Sequence, residues 1–123
     1  MAVSHWRIRC KAFTLDTEEE LAKKWELIPN DTDILITHSP PFGVLDSIQN
    51  MAEGTIEHGG SKTLMGAIYD KKPKLHVFGH IHEGYGMDAD IWALENKKAT
   101  LYANVSHVDE NYRPINKVVR MEI

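Results

Sequence analysis

Apolar and polar positions alternate near the start of the chain, where Trp6, Ile8 and Cys10 are interleaved with Arg7, Arg9 and Lys11. A period of two predicts a half-buried strand, here with a basic outer face. The period then lengthens: Leu21, Ala22, Trp25 and Ile28 recur on one side of a helix. Thr17 and Glu20 make a capping box ahead of them, Glu18, Glu19 and Glu20 suit the positive helix end, and Pro29 closes the helix. After a polar turn over Asn30 to Asp33, the apolar run from Asp33 to Thr37 does not alternate, which predicts a strand buried on both faces. Pro40 and Pro41 cannot continue a ladder, so His38 to Asp46 is a loop.

Between Ser47 and Gly60 the pattern predicts a short helix around Ile48 to Met51, then a flexible tip at Glu57, His58, Gly59 and Gly60. Ser61 caps a second helix with Leu64, Met65 and Ile68 on its buried face; Lys71 and Lys72 suit its C-terminal end and Pro73 stops it. Leu75 to Phe78 is a second buried strand, and helix followed by strand, repeated, is the pattern of α/β layering. Further on, Ile91 to Leu94 and Thr100 to Val105 read as strands around a polar turn at Asn96 to Lys98, with Leu101, Ala103 and Val105 inward. Asn111 to Asn116 is a turn, and Val119, Met121 and Ile123 alternate with Arg120 and Glu122 as a last half-buried strand.

Composition narrows the classes. At 123 residues the chain makes a single domain over 1–123. A net charge of −4 gives no basic field, so nucleic acid is not indicated as a partner. No apolar run reaches membrane-spanning length, so no membrane partner is expected. The single Cys10 fits a reducing compartment, and the opening residues lack a signal-peptide core, so the expected location is cytoplasmic.

The chemistry gathers where apolar strands run out. Ile34 to Ile36 leads into Thr37-His38-Ser39-Pro40-Pro41, and Leu75 to Phe78 leads into Gly79-His80-Ile81-His82. Sites on parallel sheets form outside the carboxyl ends of the strands. In an extended chain His80 and His82 project to the same side, spaced to reach two neighbouring ions rather than to crowd one. Any one of these histidines reads as an ordinary surface or core residue. Three of them at strand ends point to a divalent metal, for which imidazole is a suitable ligand.

Thr37-His38-Ser39-Pro40-Pro41 resembles the Thr-His-x-Pro-Pro motif of calcineurin-like metallophosphoesterases, and Gly79-His80-Ile81-His82 resembles their Gly-His-x-His motif. Trp25 to Pro29, the His58-Gly59-Gly60-Ser61 turn, Pro73 to Gly86 and Tyr102 to Ser106 extend the likeness to a branch of small single-domain phosphodiesterases. The resemblance implies an α/β (α+β) fold: half of a layered αββα sandwich, with two helices packed on a mixed sheet. It assigns His38 and His80 to one metal and His82 to a second, and places His58 in the substrate pocket. Tyr102, Asn104 and Ser106 would belong to a supporting strand. It implies two divalent ions, manganese first with iron, zinc or nickel as alternatives, and hydrolysis of a small phosphate ester by a metal-bound hydroxide.

The Asp-x-His, Gly-Asp-x-x-Asp and Gly-Asn-His-Asp/Glu motifs of that family do not occur before Thr37, so the chain resembles the C-terminal half of the domain and its acid/base residue is unknown. Asp46, Glu83 and Asp88 lie near the motifs without a ligand role. Two consequences follow from the resemblance: the Ile34 to Ile36 strand has an unpaired edge and an uncovered apolar face, and the chain is expected to form a dimer, to associate with a separate N-terminal half, or to be poorly soluble. The alternative to an enzyme is a non-catalytic metal-binding or assembly module.

Overall fold

The computed structural model describes residues 4–5, 14–89 and 99–122. Strands β1 (Ser4–His5) and β2 (Thr14–Leu15) form a short parallel pair. Helix α1 (Glu18–Trp25) starts at the expected cap: the Thr17 hydroxyl accepts the Glu20 N–H at 3.2 Å. The Glu20 carboxylate reaches back to the Asp16 N–H at 3.1 Å, one residue earlier than in the standard box. Strands β3 (Ile34–Ile36), β4 (Ser47–Asn50) and β5 (Thr55–His58) follow, then helix α2 (Lys62–Lys71), β6 (Leu75–Phe78), β7 (Gly86–Ala89) and β8 (Leu101–Asn104). At the start of α2 the Ser61 hydroxyl accepts the Leu64 N–H at 3.1 Å. Lys72 ends the helix in a left-handed conformation at φ 51°, donating to the Ile68 carbonyl at 2.8 Å before Pro73.

The main sheet has the order β3-β6-β8-β7, with β3, β6 and β8 parallel and β7 antiparallel to β8. Both helices lie on one face of it. Leu21 and Trp25 of α1, Leu64 and Ile68 of α2, and Leu35, Phe78 and Tyr102 of the sheet form a single buried cluster. Two helices on a mixed sheet is therefore the architecture, as the sequence led us to expect.

Four expectations need correction. Ile48 to Met51 is not helical: β4 pairs antiparallel with β5, and Glu57 and His58 belong to that hairpin rather than to a flexible tip. The Asn50 side chain accepts from Ala52 N and Glu53 N, and Gly54 sits at φ 66°, so local side-chain bonding turns the chain where a helix would have continued. Strand β3 is not buried on both faces. Only Leu35 meets the helices, while Ile34 and Ile36 are 45% and 59% exposed, because β3 forms the edge of the sheet and the layer of helices covers one side. Strand β8 stops at Asn104, leaving Val105 exposed, and it buries Tyr102 and Asn104 as well as Ala103. Residues 117–122 form no strand, and Val118 is 91% exposed. The strands expected over Trp6 to Cys10 and Ile91 to Leu94, the turn at Asn96 to Lys98, and Ile123 lie outside the described residues.

Candidate functional site

The parallel pairing of β3 with β6 brings the two histidine motifs side by side. Beyond the strands the ladder continues: Thr37 N donates to the Val77 carbonyl at 3.1 Å, and Gly79 N donates to the His38 carbonyl at 3.1 Å. The chain then turns sharply, with His80 at φ 71°, a left-handed conformation that costs a non-glycine residue energy and recurs at functional sites. The turn sets the His80 ring 4.5 Å, centroid to centroid, from that of His38. His82 opens a short 3-10 turn (His82–Gly84). Gly84 packs so tightly against the Leu45 carbonyl that a Cβ there would collide with it.

Burial lowers the pKa of His38. Burial first, and then the nearby His38 and His82 rings, bring His80 down to about 4. Both are therefore neutral imidazoles at pH 7, the form with a lone pair for a metal. His82 Nδ1 lies 2.9 Å from the Asp109 carbonyl, which only accepts, so Nδ1 carries a proton and Nε2 is the nitrogen turned away from that contact. Asp109 is itself fixed by Arg113, whose hydrogen bond holds the carboxyl below the usual range, and Tyr112 packs edge-on to His82 at 5.3 Å. The donor chemistry of the three histidines thus suits a divalent metal. Among the described residues, however, no group of three or more His, Cys, Asp or Glu is arranged to hold an ion. The structure brings His38 and His80 together and leaves the rest of a coordination sphere to be supplied.

A cleft of about 520 Å³ adjoins this point, lined by His58, His80, Ile48, Ile81, Glu57 and Glu83. His58 is thus placed in the pocket beside the paired histidines. Its Nδ1 lies 2.7 Å from Oδ1 of Asp46, which is almost fully buried and accepts the Gly43 and Gly60 N–H groups on Oδ2, both at 3.0 Å. Glu83 is exposed on the cleft, and Asp88 is exposed on β7, hydrogen-bonded to the next residue's N–H. Asn104 ties the site together from below: its amide donates to the Ile81 carbonyl at 2.8 Å, and its oxygen accepts the Ser106 hydroxyl at 2.8 Å.

Sequence reasoning missed the Asp46–His58 pair and the Asp109 loop behind His82. The first was findable. Once Ser47 is seen opposite His58 in an antiparallel hairpin, Asp46 must lie beside the His58–Gly59 end. The second carried only a turn signal at Asn111 to Asn116.

The parallel strands of this α/β sheet end in converging histidines beside a cleft, where open α/β sheets place their ligand sites. The chain belongs to the calcineurin-like phosphoesterase family, whose model matches residues 6–84. It is 39% identical over 112 residues to metallophosphoesterase domain-containing protein 1 of Homo sapiens, a match that covers 90% of this chain and 31% of that protein. It is 36% identical over 113 residues to UPF0046 protein T07D4.2 of Caenorhabditis elegans, covering 91% of this chain and 26% of the relative. The chain therefore spans about a third or less of the length of these relatives.

Proposed function

We propose that this chain carries the C-terminal part of a metal-dependent phosphoesterase site, with His38, His80 and His82 as metal ligands and His58 in the substrate pocket. The observation that supports this most directly is the 4.5 Å approach of the His38 and His80 rings at adjacent strand ends. A bound divalent ion, manganese by preference, would polarise the phosphate and lower the pKa of an attacking water. The chain's own part is to hold neutral imidazoles in place, with His82 Nε2 aimed by the Asp109 carbonyl, and to line the cleft for a small phosphodiester or phosphomonoester. Among the described residues no carboxylate completes the cluster, so in this reading catalysis needs the remainder of the domain, in the same polypeptide or a separate one. A second copy of this chain is the alternative partner. No helix among the described residues is long and apolar enough to cross a membrane; the cytoplasm is the location we propose, on the single Cys10.

Manganese titration calorimetry on the wild-type chain and on His80→Ala tests the ligand set. The wild type should take up metal and the variant should lose most of that uptake. Unchanged stoichiometry in the variant would remove His80 from the site. Uptake of a single weak ion with no turnover of bis(4-nitrophenyl) phosphate, even with the rest of the domain supplied, would favour a non-catalytic module.

A further inference from the structure

Among the described residues, four that are not glycine take a positive φ: Leu45, Lys72, His80 and Tyr112. Lys72 is the cap of α2, and Tyr112 stands in an exposed loop. The other two belong to the candidate site. Leu45, at φ 51°, precedes the Asp46 that bonds His58, and His80, at φ 71°, is one of the converging histidines. Left-handed backbone at a leucine or a histidine is strained and persists only where its surroundings hold it.

One buried amide holds both. Asn104, the last residue of β8, is fully buried. Its Nδ2 donates to the Leu45 carbonyl at 3.3 Å and to the Ile81 carbonyl at 2.8 Å. Its Oδ1 accepts the Ser106 N–H at 3.1 Å and the Ser106 hydroxyl at 2.8 Å. Two carbonyls on one side and a backbone N–H on the other leave the amide a single orientation, and all four of its hydrogen-bonding positions are used. The Ile81 carbonyl also accepts the Gly84 N–H at 3.2 Å. Ile81 lies between His80 and His82, so fixing its carbonyl fixes the chain as it leaves one histidine and enters the other. Gly84 keeps the gap open: a Cβ on it would come 2.9 Å from Asn104 Nδ2 and closer still to the Leu45 oxygen. A buried amide is costly unless every bond is made, and here the bonds go to the two strained turns.

Resting on the reading of His80 as a metal ligand, we propose that Asn104 is a positioning residue of this site. Its amide holds the Leu45 turn and the His80–Ile81 turn in their left-handed conformations and so aims the His80 ring at His38. It acts through the backbone and touches neither metal nor substrate.

Asn104→Asp keeps the shape of the side chain but donates to neither carbonyl. In the metal-free chain labelled with nitrogen-15 histidine, this variant should move the His38 and His80 ring signals and leave those of the core His76 and the exposed His107 in place. Its manganese affinity by calorimetry should fall about 10- to 100-fold, the usual loss when a group that orients a ligand is changed. A purely structural role would lower the melting temperature and leave the ring signals of the folded variant where they are in the wild type. That outcome would overturn the proposal. Ser106→Ala removes only one bond to Oδ1 and decides the matter if Asn104→Asp does not fold. It should shift the same two ring signals by less, and unmoved His38 and His80 signals would overturn the proposal there as well. A wild-type chain that takes up no manganese would overturn the ligand reading instead, and the ring signals would still decide whether Asn104 aims His80.

Discussion

His76 shows how much of this site rests on one buried ring. It is fully buried, and its Nε2 lies 2.9 Å from the Thr37 hydroxyl. That hydroxyl donates to the Ser39 carbonyl at 2.8 Å, so it accepts from the imidazole, and Nε2 carries the proton. Nδ1 is buried with no hydrogen-bond partner, and the ring lies beside those of Phe78 and Tyr102. Burial pushes the pKa of His76 down to about 3, because charging it would place a cation in the core. The unfolded chain accepts that proton near pH 6.5. The stability contributed by the neutral ring is therefore fully present above that pH and is lost as pH falls from 6.5 towards 3, at about 1.4 kcal/mol per pH unit. Urea unfolding at pH 7.5 and at pH 5.0 should show the wild type losing about 2 kcal/mol more than His76→Gln, which keeps an N–H for Thr37 and does not titrate. His80, lowered to about 4 by the same cause but more exposed, contributes a smaller share to both proteins. Parallel losses in wild type and variant would mean His76 is not the group that titrates.

At the scale of elements, the two helices are joined at their starts by one carboxylate. Glu18 Oε2 accepts from the Ser61 hydroxyl at 3.0 Å, the Thr63 N–H at 3.0 Å and the Thr63 hydroxyl at 2.6 Å. It therefore serves the first turn of α2 while sitting in the first turn of α1, where a negative charge is also favoured by the helix dipole. Glu18→Ala should cost roughly 1.5–3 kcal/mol, the range for hydrogen bonds to a charged group whose partners are left behind. Glu19→Ala, on the exposed side of the same turn, should cost less than about 1 kcal/mol. Thermal or urea melts distinguish the two, and equal costs would reduce the Glu18 contacts to surface decoration. Both helices were legible in the sequence because each begins on a capping hydroxyl and is followed by a proline, and these are local signals, although α1 stops at Trp25, short of Pro29. Strand β3 was legible as an apolar run and β6 as one interrupted only by His76, and their histidine ends made the His38–His80 meeting predictable. The hairpin of β4 and β5 was not. Ile48 and Met51 fall at a helical spacing, and the Asn50 side-chain bonds that break the helix need three dimensions to be seen. Missing the hairpin hid Asp46 from His58, since their contact depends on its register.

The whole molecule is one-sided. Across the sheet the register aligns Ile34, Leu75, Leu101 and Ala89 in one row, and Ile36, Val77, Ala103 and Met87 in the next. Alternation along each strand turns these eight side chains away from the face that holds Leu35, His76 and Tyr102 against the helices. Every one is apolar. The central Leu75 and Ala103 are buried, whereas Ile34, Ile36 and Met87 remain 45%, 59% and 50% exposed at the two edges. A sheet face of this composition is made to be covered, and an edge strand flanking it is open to pairing. The curated relatives extend well beyond the matched region, which leaves ample polypeptide to form the second layer. The remainder of the domain is thus the expected occupant, and in its absence the same face should associate with a second copy. Light scattering of the isolated chain should give a mass above that of one 14.0 kDa chain. Replacing Ile34 and Ile36 together by Lys should return it to a monomer with unchanged helical circular dichroism, because both side chains point away from the helix-facing core. A wild-type chain that runs as a monodisperse monomer would show that the apolar rows need no partner, and would remove the main structural reason for a missing half.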